Sequence, residues 1–408
     1  MDTQVIIVGA GISGLSTALT LQDAGIEYRI VEAENEVGGR VRTRKIDGYL
    51  LDRGFQVLLS AYPEAQHFLD YDALDLQSFD SGAKILSENG KTSVIGDPMR
   101  QISSLIPTVF SSVGTIGDKM KMLKLKGLTK MSTIEKIFAW QETSTLQRLK
   151  EFGFSDKIIE QFFRPFFSGI FLENELTTSS RMFHFVFKMF AEGFATLPQG
   201  GMQQIPVQLA NKLDSDKILL NHRAFSLSAK EIIFENGKKL SAEHVILATD
   251  PSKLLDAKYN INRKFVSTTH VHFVSDSPVD KSKLISLNSL ANKSFNNICI
   301  VSNIASGYAK SGHLISISIV GLTEEKTLED RLRKELINWY PSVREWRLLD
   351  IHQVNYALPD QKEVRLDASI NKAGEIWLAG DYLSNGSLNG AMRGGRQIGK
   401  KIIESYNS

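Results

Sequence analysis

The stretch Val5-Ile6-Ile7-Val8-Gly9-Ala10-Gly11-Ile12-Ser13-Gly14 decides the fold. Four apolar residues in a row specify a buried strand. Glycines then turn the chain, and Leu15, Ala18, Leu19 and Leu21 recur at helical spacing. A G-x-G-x-x-G turn between a strand and a helix is the fingerprint of a dinucleotide site. Gly9 permits the turn, Gly11 carries no Cβ to obstruct a pyrophosphate, and Gly14 lets helix and strand pack closely. The N–H groups at Ile12 and Ser13 open the helix, whose partial positive charge faces the phosphates.

Outward from the turn, Tyr28-Arg29-Ile30-Val31 reads as the next parallel strand, ending at Glu32 and Ala33. A carboxylate about 20 residues beyond the glycines can accept both ribose hydroxyls of an adenosine. Gly38 and Gly39 then let the backbone pass close to a ligand again, and Arg40 can bring charge to the pyrophosphate. Arg42 and Arg44 alternate with Val41 and Thr43, as on a strand with a basic face. Gly48 to Val57 gives a further strand, with Gly54 near its end.

These residues resemble the flavin-containing amine oxidase superfamily, which includes monoamine and polyamine oxidases, protoporphyrinogen oxidase and the phytoene desaturases. The match lies in Gly9 to Gly14, Glu32, Gly38-Gly39-Arg40 and Asp52-x-Gly54. The resemblance implies FAD, with adenosine on Glu32 and Ala33 and diphosphate over Gly9 to Gly14 near Arg40. Gly54, Phe55 and Gln56 would pass beside the isoalloxazine. The implied fold is α/β: a Rossmann-like FAD/NAD(P)-binding domain of glutathione-reductase type with an inserted α+β substrate domain. The expected FAD segments are 1–60, 197–254 and 365–408; the substrate segments are 61–196, mostly helical, and 255–364.

The C-terminal part carries a second signal. Ile376-Trp377-Leu378-Ala379 is a buried strand ending in Gly380-Asp381, and a Gly-rich loop opens a final helix at Gly390-Ala391-Met392. By resemblance, Asp381 would bond the ribityl or diphosphate region, and the helix start would point its N–H groups at the flavin pyrimidine. Positive potential there stabilises reduced flavin. Some relatives carry flavin on a cysteine near this motif; none stands here, so the FAD is expected to be non-covalent.

Composition bounds the rest. The 408 residues are 42% hydrophobic and 23% charged, as in an ordinary globular protein. A net charge of +2 gives no electrostatic case for nucleic acid. One cysteine, Cys299, excludes an internal disulfide framework and a cysteine-based zinc site. The strand starts at Val5, which leaves no room for a signal peptide ahead of it, and no apolar run reaches a membrane span. A cytoplasmic location is the expectation. Oligomeric state has no signature.

Between Met99 and Met131 an apolar stretch (Ile102, Leu105, Ile106, Val109, Phe110) precedes Lys119, Lys121, Lys124, Lys126 and Lys130. Such a segment can lie on an anionic membrane as a peripheral contact. The plainer reading, preferred here, is a helical hairpin with solvated lysines. From Phe152 to Phe194 stand twelve of the twenty-two phenylalanines, suited to a core and also to the wall of an apolar pocket. Arg164 and Arg181, the polar exceptions, read as ion-paired or as binding a substrate carboxylate.

Ala195 to Met202 reads as a loop before a helix. Lys217 to Ala224, Glu231 to Glu235 and Leu240 to Thr249 read as strands, with Ala224 bordering the adenine by resemblance. His270 and His272 share one strand face, but no third ligand has a persuasive spacing, so no metal is assigned. The family's amine oxidases place a lysine–water pair near flavin N5, a lysine that has no mapped position in this sequence. Tyr356, on the strand entering the last FAD segment, is the best candidate to face the flavin. The lysine's absence and the phenylalanines point to an apolar substrate of isoprenoid or tetrapyrrole type. An amine substrate is the first alternative. The second is a non-enzymatic prenyl carrier resembling Rab GDP-dissociation inhibitors, against which the complete flavin motif argues.

Overall fold

A computed structural model describes residues 1–96, 113–255, 264–324, 326–368 and 372–407. The apolar run Ile102 to Phe110 lies outside them. Two large sheets organise the chain. The first is built on β1 (Thr3–Val8), β2 (Tyr28–Val31), β10 (Ile218–Leu219) and β13 (Lys239–Leu247), with β20 (Ile376–Leu378). Its parallel pairings are β10–β2, β2–β1, β1–β13 and β13–β20. Strands β11 (Ala224–Leu227), β12 (Glu231–Phe234) and β19 (Lys372–Ala373) add antiparallel edges. Val5, Ile6, Ile7, Ile30, Val245, Ile246 and Leu247 are buried, as strands covered on both faces require.

Helix α1 (Ile12–Asp23) follows β1 and packs against the last helix, α7 (Leu388–Asn407). Small residues set that crossing. A Cβ on Gly395 would fall 2.3 Å from Ser13 O, and one on Gly399 would fall 2.7 Å from Thr20 Cβ. Ser13 Oγ donates to Ala391 O over 2.9 Å and Thr17 Oγ1 to Gly395 O over 3.1 Å.

The second sheet runs in the order β18 (Arg347–Pro359), β14 (Phe265–Ser275), β17 (His313–Val320), β16 (Asn297–Ile300), β15 (Ile285–Asn288), β7 (Gly82–Leu86) and β8 (Thr92–Gly96). One face carries Val271, Phe273, Ile298, Ile315 and Ile317. It packs on α6 (Leu328–Leu336) through Leu328, Leu332 and Leu336. The opposite face combines a polar band, His270, His272, Ser316, Ser318 and Asn297, with the buried apolar Val274, Leu287, Cys299 and Leu314. Smaller pairings join β3 (Thr43–Ile46) to β4 (Tyr49–Asp52), and β9 (Ala195–Pro198) to β5 (Leu58–Leu59) and β6 (Leu76–Ser78).

Two local expectations need correction. Residues 195–198 form a strand rather than a loop, because Thr196 and its neighbours pair with both β5 and β6. The single strand expected over Lys217 to Ala224 is divided: β10 joins one edge of the sheet and β11 the other. Between them Asn221 takes a left-handed conformation (φ 58°), which this residue type tolerates.

The helices of the 116–192 region include α3 (Ile116–Met131), α4 (Arg164–Phe171) and α5 (Ser180–Glu192); α2 (Pro63–Phe68) precedes them. Phe154, Phe163, Phe167, Phe171, Phe183 and Phe185 are buried core. Phe162, Phe166, Phe187 and Phe190 are half-buried against them. Arg164 pairs with Glu160 at 2.7 Å and Arg181 with Glu142 at 3.3 Å.

Candidate active site

At the first turn Gly9 adopts φ 111°, and a Cβ there would sit 2.9 Å from Ala248 O. A Cβ on Gly14 would lie 2.0 Å from Gly9 O, so the strand–turn–helix packing itself requires both glycines. Gly11 differs. It caps α1 with extended geometry (φ −75°), and a Cβ there would meet nothing within 4 Å. The protein leaves that space open, and a diphosphate against the backbone would use it. The helix N-terminus has no side-chain cap, so its N–H groups stay available to an anion.

Around this turn the other expected residues assemble. Glu32 Oε2 accepts from Ala10 N at 2.8 Å and Oε1 from Glu34 N at 2.9 Å, which leaves lone pairs on both oxygens for ribose hydroxyls. Ala33 is half-buried beside it. The 221–224 turn wraps under the same strand end, with His222 N bonded to Glu32 O and Asn221 N to Glu34 O, which brings Ala224 close. Gly38 N bonds Ala10 O, and Gly38 pairs with Gly11 in a single bridge. Gly39 packs with its Cβ position 3.6 Å from Gly11 Cα.

Arg40 reaches Asp381 Oδ1 at 2.5 Å and Ala357 O at 3.2 Å. Asp381 follows Gly380 at the end of β20 and is buried, so the two charged groups expected at the diphosphate meet each other. Gly390, Ala391 and Met392 are buried at the start of α7, where Gly390 N donates to Ser387 Oγ at 2.8 Å. The residues present therefore fit an FAD diphosphate and ribose.

Gln56 Nε2 donates to Arg40 O and Arg53 O, at 2.9 and 3.0 Å, and so fixes the Gly54–Phe55–Gln56 segment beside the first turn. Asp52, just ahead, is buried; it accepts from Tyr308 OH, Thr43 Oγ1 and Met202 N. Burial pushes its carboxyl up to about 6. Gly54 has φ 94°, and a Cβ there would come within 3.3 Å of His270 Nε2. The backbone expected beside the flavin therefore lies on an imidazole of the second sheet.

His270 belongs to a buried hydrogen-bonded chain that the sequence did not disclose. Asn296 Nδ2 donates to Asn297 Oδ1 and Pro165 O. Asn297 Nδ2 donates to Ser318 Oγ at 3.3 Å, and Ser318 Oγ meets His270 Nδ1 at 3.3 Å. His270 Nε2 meets Thr268 Oγ1 at 3.0 Å, and Thr268 Oγ1 donates to Ile319 O at 2.8 Å. With the Thr268 proton on Ile319 O, Nε2 must be the donor and Nδ1 the acceptor, which assigns a neutral Nε2–H tautomer. Burial, then the neighbouring His272 and His352, holds His270 down to about 3.

In the sheet, His270 and His272 on β14 face Ser318 and Ser316 on β17, with the apolar pair Val271 and Ile317 between them. Helix α4 covers it closely at Gly169, where a Cβ would fall 2.9 Å from Asn296 Nδ2. His272 is buried and its Nδ1 has no partner among the described residues. Tyr356 is 53% exposed, with its ring 5.7 Å from Phe265, over whose ring the Arg40 guanidinium also lies at 5.9 Å. No three His, Cys, Asp or Glu side chains among the described residues group as a metal site.

Comparison with known proteins bears on this arrangement. The family model for flavin containing amine oxidoreductase matches residues 12–403. Protoporphyrinogen oxidase 2 of Arabidopsis thaliana is 28% identical over 169 residues, 41% of this chain and 32% of that protein. A component of the limonene dehydrogenase of Castellaniella defragrans is 25% identical over 317 residues, 71% of this chain and 56% of that protein. The chain thus spans from a third to just over half of these relatives. The solved structure of putrescine oxidase superposes with a TM-score of 0.73 at 17% identity, covering 99% of each chain, a likeness of fold. The match from the first helix to the last, on a fold with two dinucleotide segments brought together, places this chain in the flavin-containing amine oxidoreductase family.

Proposed function

We propose that the protein is an FAD-dependent oxidoreductase acting on an apolar small molecule of isoprenoid or tetrapyrrole type. The convergence of the first glycine turn with the last helix, through Ser13 and Ala391, carries the cofactor half of this reading. When bound, FAD would supply the acceptor for a hydride equivalent from the substrate. The chain's own part is to hold and orient. The open Gly11 and the uncapped start of α1 take the diphosphate, Glu32 takes the ribose, and Gln56 fixes the Gly54 segment. Helix α4 and the second sheet keep water from the polar chain at His270.

The half-buried Phe162, Phe166, Phe187 and Phe190 support the apolar substrate. So do the stretches shared with proteins named for a porphyrinogen and a monoterpene. The family match favours an enzyme over the carrier alternative. A second reading, a primary or secondary amine, is favoured by one observation: His272 Nδ1 leaves a buried hydrogen-bond position open beside Ser316 and His270.

The visible spectrum of purified protein tests both levels. Flavin absorption that is absent and not restored by added FAD sinks the cofactor reading. Anaerobic bleaching by polyenes or porphyrinogens, and not by simple amines, supports the apolar substrate; the reverse pattern selects the amine.

A further inference from the structure

The polar chain at His270 does not end at Asn296. Lys293, half-buried in the loop between β15 and β16, donates to Asn296 Oδ1 at 3.1 Å and to Asn288 O at 3.3 Å. Glu335 of α6 braces that loop, accepting from Asn288 Nδ2 at 2.5 Å and from Ser294 N at 2.8 Å. Asn296, Asn297, Ser318 and His270 are all buried. Helix α4 closes over them: a Cβ on Gly169 would fall 2.9 Å from Asn296 Nδ2 and 3.1 Å from Asn297 Oδ1.

The chain runs one way. An ammonium only donates, so the Asn296 atom facing Lys293 must be its oxygen. A backbone carbonyl only accepts, so the Asn296 atom facing Pro165 O at 2.9 Å must be its nitrogen. The two constraints agree. Asn296 Nδ2 then meets Asn297 Oδ1, Asn297 Nδ2 meets Ser318 Oγ, and the Ser318 proton is left for His270 Nδ1. Four hydrogen bonds lead from a cation to an imidazole, each with its donor on the lysine side. In a water-free interior such bonds polarise one another in the same sense. A stronger bond into Nδ1 draws electron density from the ring and makes Nε2–H a stronger donor.

We infer that Lys293 is a positioning residue for His270: its charge, relayed through Asn296, Asn297 and Ser318, sets the donor strength of the His270 Nε2–H beside Gly54. Lys293 is faced by Arg164 and Glu160 at α4 and by Glu335 on α6. Burial, then Arg164, draws its ammonium down to about 8, with both acids opposing. His270 is faced by His272 and His352. Burial holds all three imidazoles below the ordinary histidine range, so they are neutral from pH 7 upward. Cys299, two residues beyond Asn297 on β16, is pushed up by burial and keeps its proton. A change in the His270 ring between pH 7 and pH 9 therefore reports Lys293. The consequence for the reaction rests on the function proposed above; the coupling itself does not.

Proton–nitrogen correlation spectra of FAD-loaded protein labelled at histidine provide the test. The His270 ring signal, identified by its loss in His270→Phe, should carry its proton on Nε2. That proton resonance should move upfield as pH rises through about 8. Lys293→Met should fix it at the high-pH position and Lys293→Arg at the low-pH position. Anaerobic reduction by the polyene or porphyrinogen that bleaches the parent flavin should slow by about threefold or more in Lys293→Met and recover in Lys293→Arg. A His270 signal that stays fixed in the parent protein across this range overturns the inference, whether or not the variants fold. So does a signal that still titrates in Lys293→Met. A signal that moves as stated while reduction rates stay unchanged upholds the coupling and removes His270 from the reacting face.

Discussion

Ser13 and Ala391 lie 378 positions apart, yet the hydroxyl of one bonds the carbonyl of the other at 2.9 Å, at the starts of the first and last long helices. That bond holds the two flavin segments in register. Its neighbourhood permits no side chain: a Cβ on Gly395 would fall 2.3 Å from Ser13 O, a backbone atom with no freedom to move aside. Gly395→Ala gains helix propensity worth roughly 1 kcal/mol but forces the helices apart at a cost of about 1–3 kcal/mol. Thermal unfolding should show a net loss of stability, and gel filtration should show flavin released from the variant.

Gly11→Ala separates the fold from the ligand. The Gly11 backbone suits any residue and a Cβ there touches nothing, so the apoprotein should be unchanged or stabilised by up to about 1 kcal/mol. A methyl group in the diphosphate space should still weaken FAD binding by about tenfold or more, read by titration of flavin fluorescence. An equal loss of apoprotein stability would show that the glycine serves packing instead.

Stability should fall on mild acidification. Burial holds His270 down to about 3, and His272 and His184 to about 4, against about 6.5 in the unfolded chain. Each histidine is neutral in both states above that value. From there down toward pH 4 the unfolded chain binds the extra proton, so each contribution is lost as pH falls. Asp52, raised to about 6, opposes them by one proton. The net of about two protons corresponds to roughly 2.7 kcal/mol per pH unit. His244 and His352 are lowered too and act in the same direction. Urea denaturation between pH 7 and pH 4.5 measures the slope, and His184→Gln should reduce it by one proton's share, roughly 1.4 kcal/mol per pH unit.

How much of this was legible beforehand depended on whether chemistry resides in neighbouring residues or across strands. The Gly9–Gly14 turn, Glu32 and the Gly380–Asp381 strand end are local patterns, and a strand, turn and helix in sequence suffice to read them. Arg40 with Asp381 came from two such patterns whose meeting needed tertiary structure. The His270 chain was opaque because its members come from three strands and a loop; His270-x-His272 alone suggested only a metal pair. Register puts His270 opposite Ser318, and Ser318 opposite Asn297, so the alternation becomes a polar band once the sheet is known. Helix α3 shows the same limit: the sequence displays its lysines, but which side of the helix faces the core is set by packing against α5.

The last prediction separates His270 from Tyr356. His270→Phe removes both the acceptor of the Ser318 hydroxyl and the donor to Thr268, which should cost about 1–3 kcal/mol through unmet buried groups. It touches none of the segments that hold the diphosphate, so flavin content should stay near one per chain. Because the imidazole lies against the Gly54 backbone, the rate of anaerobic flavin reduction by substrate should still drop by about tenfold or more. Tyr356→Phe alters an exposed hydroxyl and leaves the ring on Phe265, so reduction should stay within about twofold of the parent. Stopped-flow absorbance of both variants decides between them. Reduction lost in Tyr356→Phe and kept in His270→Phe would move the reacting face from His270 on β14 to Tyr356 on β18.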